Sequence, residues 1–215
     1  MFHSMDATIG GSTNKLWLYA GTGNYERIAD KSAGVENLML GINDPWYPEY
    51  KEMNTPTKAD DLSQCVNTTN NTSGSFSCPN VAGSRGWYII LDYFKKVTAE
   101  PTIGNGVIYF PVYMPNTTDL CGLGDAFVCA ADDECGYNMS DGLGTNPTIH
   151  QTEKCFYVGS GALSKIVIFR GDLYANIAGE TKITGKSSSN NPNGPCFKLL
   201  PEYPSACIYA VSYTQ

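Results

Sequence analysis

The sequence predicts an all-β protein, built as a partial β-propeller of about four blades. The 215 residues include 22 glycines, 14 tyrosines and 12 prolines, a composition that favours many short strands and turns over long helices. With 42% hydrophobic residues, the chain can also bury a sizeable core. We therefore expect residues 1–215 to form a single domain.

The stretch from Lys95 to Gly136 supplies the propeller unit. Two runs of strand-forming residues, 97–103 and 107–113, flank Asn105-Gly106, and Asn-Gly is the strongest short-range signal for a hairpin. A third run, 125–131, ends in a cluster of acidic residues and a glycine. This order of strands and turns is typical of one blade, which has four strands in about 40–45 residues.

Further strands are expected on both sides of this unit. They fall at 15–21, 35–43, 86–92, 155–159, 164–170 and 173–178, with a last pair at 197–200 and 207–213. In the second of them, Leu38, Leu40 and Ile42 share one face. Three stretches are expected to lack regular structure: a frayed start at 1–14, a loop insertion at 44–80 and a flexible linker at 185–195.

Cysteine usage favours an oxidising compartment. The eight cysteines contain no Cys-x-x-Cys pair, so zinc-site spacing is absent and disulfides are the better interpretation. Cys65 and Cys78 bracket an Asn/Thr/Ser tract, and a disulfide between them would staple that loop. A second disulfide, between Cys196 and Cys207, would tie the last strand pair together. The pairing of the other four is left open: Cys121, Cys129, Cys135 and Cys155.

Charge excludes one class of partner. The formal net charge is −7 with a pI near 4.7, and no run of Lys or Arg could follow a phosphate backbone, which argues against nucleic-acid binding.

No stretch is long and apolar enough for a membrane span. Residues 1–4 do not begin a signal peptide. If the protein is exported, the signal is expected upstream, and Met1 is an internal start or the edge of a fragment.

Several blocks together resemble a known family. They are Leu16 to Tyr25, Arg85 to Tyr88, Leu91-Asp92, Val97 to Pro101, Gly106 to Phe110, Cys121-Gly122, Ala130 to Asp132, Tyr157 to Gly161, Val167 to Phe169 and Leu173 to Gly179. In this order they resemble the C-terminal propeller of the PilC/PilY proteins, the tip-associated assembly factors and adhesins of bacterial type IV pili.

The resemblance implies a non-enzymatic module that supports pilus assembly or retraction control and surface adhesion. Its implied partners are minor or major pilins, other pilus-tip components, and a host or abiotic surface. Its implied location is the cell surface, at the pilus tip or outer membrane. Members of that family often carry a calcium loop of alternating Asp and Asn. Asp132-Asp133-Glu134 does not match that spacing, so these residues are interpreted as charges at a blade turn, and no cofactor is expected.

Catalytic patterns are weak in this sequence. Of the two histidines, His3 lies in the frayed start and His150 lies in a loop without a nucleophile turn, so His150 is expected at the surface. The glycine-containing segments at 21–24, 159–161 and 185–187 lack the complete nucleotide-binding patterns and are interpreted as turns or coil. A glycosidase would need two facing carboxylates. The possible members of such a pair are Asp92, Glu100, Asp125 and Asp172.

Two alternative functions remain open. One is a fragment of a quinoprotein-type (PQQ) propeller dehydrogenase, which shares the order of hairpins and acidic residues. The cofactor pocket of those enzymes resembles one floored by a ring of adjacent cysteines, and no two cysteines are adjacent here. The other is a secreted carbohydrate-binding β-protein, suggested by five Asn-x-Ser/Thr triplets. These begin at Asn67, Asn70, Asn71, Asn116 and Asn138.

Overall fold

The computed structural model describes most of the chain between residues 4 and 181 and two short segments beyond. The described residues are 4–23, 28–29, 31, 36–49, 56–64, 84–92, 94–118, 122–144, 146, 148–150, 154–181, 196–197 and 206–207. They form strands and short 3-10 turns and contain no α-helix, so the all-β prediction is confirmed. The described part also lacks any helix with the length and apolar character that a membrane crossing requires.

The first sheet contains five strands. These are β1 (Asp6–Ile9), β2 (Leu16–Gly21), β3 (Asn37–Asn43), β4 (Ser63–Gln64) and β5 (Gly86–Leu91). Their order across the sheet is β1-β2-β3-β5-β4, and all neighbours are antiparallel except β4, which runs parallel to β5.

The second sheet and two strand pairs complete the fold. Their strands are β6 (Lys96–Val97), β7 (Thr102–Gly104), β8 (Val107–Met114), β9 (Asp125–Asp132), β10 (Phe156–Leu163), β11 (Val167–Phe169), β12 (Asp172–Tyr174), β13 (Ile177–Thr181), β14 (Cys196–Phe197) and β15 (Ala206–Cys207). The second sheet has the order β13-β10-β9-β8-β6, and β7 also pairs with β8. β11 pairs with β12, and β14 with β15. No sheet closes into a ring within these residues.

The Asn-Gly hairpin forms as predicted. Gly104 of β7 is the register partner of Val107 of β8, which leaves Asn105 and Gly106 as a two-residue turn. Both have positive φ, 52° and 76°, as a type I′ turn requires.

The second sheet is buried on both faces. One face, which includes Ile108 and Phe127, packs against the first sheet around Trp87. The opposite face, which includes Val128, packs against Leu173 of the β11–β12 hairpin and the segments beside it. This explains why β8 is a continuous apolar run, since a strand covered on both sides needs no polar alternation.

The prediction of a frayed start at 1–14 is wrong for residues 6–9, which form β1. Ala7 and Ile9 are exposed, so this strand carries no apolar signal; it is held by main-chain pairing with β2. The turn that follows β1 is fixed from outside: the carboxylate of Glu134 accepts the backbone N–H groups of Ser12 and Thr13, at 2.6 and 2.8 Å. A remote contact therefore orders this segment.

The predicted loop at 44–80 contains a 3-10 turn (Ala59–Asp61) and the short strand β4. Its residues 50–55 and 65–80 lie outside the described part of the chain, as does the predicted linker at 185–195.

Leu38, Leu40 and Ile42 share one face of β3, as the alternation predicts, but that face is only half-buried. The buried face carries Met39 and Gly41, and Met39 is fully enclosed. The glycine is there because Trp87 is its register partner: a Cβ at position 41 would lie 2.6 Å from the indole ring.

Gly86→Ala is expected to lower the free energy of unfolding by about 1–3 kcal/mol. Gly86 has φ +147°, and a Cβ there would lie 2.1 Å from the carbonyl oxygen of Gly41, which is backbone and cannot turn away. Gly11→Ala is the matched control, because no atom lies within 4 Å of its Cβ position. Urea denaturation of both variants measures the difference, and equal stabilities would contradict this account of Gly86.

Candidate functional site

A cleft of about 710 Å³ lies where the end of β5 in the first sheet faces β8 and β9 of the second. Its apolar wall includes Leu91, Phe110 and Met114. Its polar lining carries charges of both signs, from Asp92, Lys95, Asp125 and Lys154, together with Asn116 and Ser160.

His150 is buried, so the prediction of a surface histidine is wrong. Only 7% of its surface is exposed. Its ring stacks on Tyr157 at 3.9 Å between centroids and meets the edge of Phe127 at 5.5 Å. Its Nε2 lies 4.0 Å from a carboxylate oxygen of Asp125. One of these two rings, Phe127, comes from β9, well before His150 in the sequence, so the loop composition around His150 gave no sign of burial.

This group does not form a Ser-His-Asp arrangement in the described residues. Ser160 is the register partner of Asp125 on β10, but its hydroxyl lies 3.5 Å from the Tyr157 hydroxyl and makes no hydrogen bond to His150. His150 therefore acts as a packing ring between two aromatic side chains.

The four carboxylates considered for a glycosidase pair are dispersed. Asp92 and Asp125 line the same cleft. Glu100 forms an ion pair with Lys165 and accepts a hydrogen bond from Ser4. Asp172 lies in the β11–β12 hairpin, opposite Phe169.

A disulfide joins Cys129 of β9 to Cys155 just before β10 and forms part of the cleft wall. It resolves part of the pairing that the sequence left open. Cys135 is also disulfide-bonded. Because the bridged cysteines are 26 positions apart, this disulfide is not the ring of adjacent cysteines associated with the quinoprotein alternative.

The two disulfides predicted from sequence stay predictions. Cys65 and Cys78 lie outside the described residues. Cys196 and Cys207 are register partners of β14 and β15, which places their backbones opposite each other.

A second concavity, which we call the acidic groove, has a volume of about 510 Å³ and lies at the far end of β9. Its walls are β1, the turn after β1 and the β7–β8 hairpin turn. Its carboxylates are those of Asp6, Asp132, Asp133 and Glu134. The prediction that the last three stand at a turn is correct: residues 133–135 form the turn that follows β9.

The four carboxylates differ in how they are held. Asp132 accepts the backbone N–H groups of Glu134 and Cys135, and Glu134 bridges to the turn after β1. Asp133 is 7% exposed, and its backbone is anchored by N–H donation to Gly106 and by the indole N–H of Trp87, which donates to its carbonyl oxygen. Within the described residues, Asp132, Asp133 and Glu134 form no ion pair with a Lys or Arg.

Burial is the main influence on the ionisation of this group. Burial first, and then the charges of Asp132 and Glu134, raise the pKa of Asp133 to about 6. Burial also raises the pKa of Asp132, against the effect of its two backbone hydrogen bonds. The pKa of Tyr19 is raised by burial and then by the four carboxylates of the groove.

Comparisons with known proteins find a likeness in structure but none in sequence. No protein-family model matches the sequence, and no curated protein matches it. A similar solved structure is the C-terminal domain of PilY1 from Pseudomonas aeruginosa, with 15% sequence identity and a TM-score of 0.52. The chain shares its fold. The match covers 83% of this chain but only 43% of that structure, so the chain spans less than half its length.

This PilY1-like fold agrees with the family that the sequence blocks resemble. Sequence reasoning anticipated the acidic turn and named Asp125 and His150. It missed the acidic groove as a whole, because Asp6 stands in a segment predicted to be frayed. It also missed Lys95 and Lys154 in the cleft. Neither lysine carries a local signal, since the cleft brings together segments far apart in the sequence.

Asp133→Asn is expected to stabilise the protein at neutral pH. The raised pKa of Asp133 means that the folded state holds this proton more tightly than the unfolded state, so the contribution of Asp133 to stability is greatest below pH 3.8 and falls as the pH rises through about 6. The variant should match the wild type near pH 4 and exceed it by about 1–3 kcal/mol at pH 7.5.

Urea denaturation at pH 4.0, 5.5 and 7.5 measures this difference. Asp172→Asn changes the net charge equally and lies outside the groove, so it controls for the general effect of charge. An Asp133→Asn protein less stable than the wild type at pH 7.5 would overturn the account.

Proposed function

We propose that this chain is a propeller-type module of a type IV pilus tip or biogenesis protein. It supports pilus assembly or retraction control and surface adhesion, without catalysing a reaction. The observation that carries the proposal is the fold shared with the PilY1 C-terminal domain over 83% of the chain. The blocks that resemble the PilC/PilY family support the same assignment from the sequence.

The arrangement of the sheets supports the propeller part of this proposal. The first sheet packs on one face of the second sheet, and the β11–β12 hairpin packs on the other face. Consecutive blades of a propeller stack in this way. We interpret the first two sheets as two blades and the two strand pairs as parts of two more, which gives the four-blade partial propeller predicted from the sequence.

Disulfides support an exported location. Cys129 and Cys155 are bridged and Cys135 is bridged as well, and such bonds persist in oxidising compartments. The proposed site of action is the cell surface, at the pilus tip or outer membrane, where the partners would be pilins, other tip components and the surface to which the cell attaches.

An in-frame deletion tests the proposal. It removes the region that encodes residues 1–215 in the organism that carries it. The expected result is fewer surface pili in sheared fractions, weaker twitching motility and weaker attachment, all restored by a plasmid copy. Repeating the deletion in a retraction-deficient background separates the roles: pili that return there indicate retraction control, and pili that stay absent indicate assembly. A deletion strain with wild-type piliation, motility and attachment would contradict the proposal.

A further inference from the structure

The outer face of the first sheet, which we define as the face turned away from the second sheet, is apolar on four neighbouring strands. Successive side chains of a strand alternate between the two faces of a sheet, and register partners share a face. Trp17, Tyr19 and Met39 pack toward the second sheet, so the alternate positions form the outer face. Its large or exposed side chains are those of Ala7 and Ile9 of β1, Leu16 and Leu18 of β2, Leu38, Leu40 and Ile42 of β3, and Tyr88 and Ile90 of β5.

The strand register joins these side chains into one surface. Leu18 of β2 lies opposite Ile42 of β3, and Leu40 of β3 lies opposite Tyr88 of β5. The remaining outer-face positions on the four strands are Ala20 and Gly86, so no charged residue interrupts the surface. A sheet face that meets water usually carries polar residues at alternating positions. The outer face lacks that alternation.

This surface belongs to neither hydrophobic core of the described residues. Its large side chains on β2, β3 and β5 are half-buried, and Ile9 at the edge is 43% exposed. The first sheet is therefore apolar on both faces, as a sheet covered on both sides would be, although the cores of the described residues cover only its inner face. A contiguous apolar surface of this kind marks an interaction site.

The size of the outer face suits a second sheet. Four strands about 4.8 Å apart and about 20 Å long give a flat area of roughly 400 Å². Because side chains project from it, two such faces in contact would bury on the order of 1,000 Å² in total, which is near the lower limit for a specific interface. Two sheets pack face to face about 10 Å apart through interdigitated apolar side chains, so the best complement to this face is another apolar sheet face.

We propose that the outer face is a dimer interface, packed against the same face of a second copy of this chain. A two-fold axis brings one surface patch onto itself, and the absence of charge on these strands means that no like charges meet within the contact. The formal net charge of −7 makes the two copies repel each other at longer range, so salt should strengthen the dimer. This inference does not rest on the proposed function, since it concerns a surface of this chain alone.

Sedimentation velocity of the purified chain at pH 7.5, from about 1 to 200 μM, tests the proposal. The expected result is a reversible shift from the 23.3 kDa monomer to twice that mass, at lower protein concentration in 0.5 M than in 0.05 M sodium chloride. Leu40→Glu places an unpaired carboxylate at the centre of the face and should weaken the dimer by at least about tenfold. Leu123→Glu is the matched control: Leu123 is 54% exposed and lies outside the first sheet, so the dimer should weaken by no more than about twofold.

Ile9→Glu tests the same face on another strand, at a side chain exposed enough that the fold should tolerate the change. Urea denaturation of each variant separates loss of the dimer from loss of the fold. A wild-type chain that stays monomeric over the whole concentration range would overturn the proposal, because the face would then await a different partner. So would a dimer that persists in both Leu40→Glu and Ile9→Glu, or one that Leu123→Glu weakens equally, since the contact would then lie elsewhere.

Discussion

Phe127→Ala is expected to lower the free energy of unfolding by about 3–5 kcal/mol. The Phe127 ring is fully buried between the two sheets, where it packs edge-to-face with the rings of Tyr157 and His150. The Nζ of Lys95 lies 5.8 Å from its centroid. Removing the ring loses this burial and leaves a cavity that rigid strands on both sides cannot close.

Phe169→Ala is the matched control for this variant. Phe169 is 57% exposed on the β11–β12 hairpin, so the same substitution should change stability by no more than about 0.5 kcal/mol. Denaturant unfolding followed by tryptophan fluorescence measures both variants. Similar losses at the two positions would mean that the second sheet does not pack against the first as described.

Replacing both Cys129 and Cys155 by alanine is expected to cost about 3–4 kcal/mol. The bond closes a loop of 26 residues, and cutting it returns that conformational freedom to the unfolded chain. The loop contains the acidic turn and His150, so loss of the bond should also loosen the packing of His150 on Tyr157.

Denaturation under non-reducing conditions measures this cost, because the disulfide of Cys135 stays intact. The single variant Cys129→Ala is a useful companion, since it breaks the same bond but leaves a free thiol at Cys155, which thiol labelling detects. An unchanged unfolding midpoint in the double variant would contradict a stabilising role for this bond.

Local sequence signals predicted the parts of the fold that depend on local physics. Asn105-Gly106 forms the predicted turn because positive φ at two successive positions is a property of these residue types. The runs that became β8 and β9 were found for a similar reason: eight-residue strands of mostly apolar residues have few other ways to be buried.

Tertiary contacts decided what the sequence could not show. β1 has no apolar alternation and is ordered by pairing with β2 and by Glu134. His150 is buried by rings from β9 and β10. The Cys129–Cys155 bond was one of several pairings that four cysteines allow. The acidic groove combines β1, the β7–β8 turn and residues at the end of β9, and no local window contains them all.

Amide hydrogen exchange should be slow in the strands that are covered on both faces and fast in the edge strand β1. The second sheet is covered on both faces, so exposing the amides of β8 and β9 requires the packing on two sides to be lost at once. These amides should exchange only through global unfolding, whereas those of the edge strand β1 should exchange by local opening. The two sheets are therefore expected to unfold as one cooperative unit, and the amides of β8 and β9 are the last to lose protection.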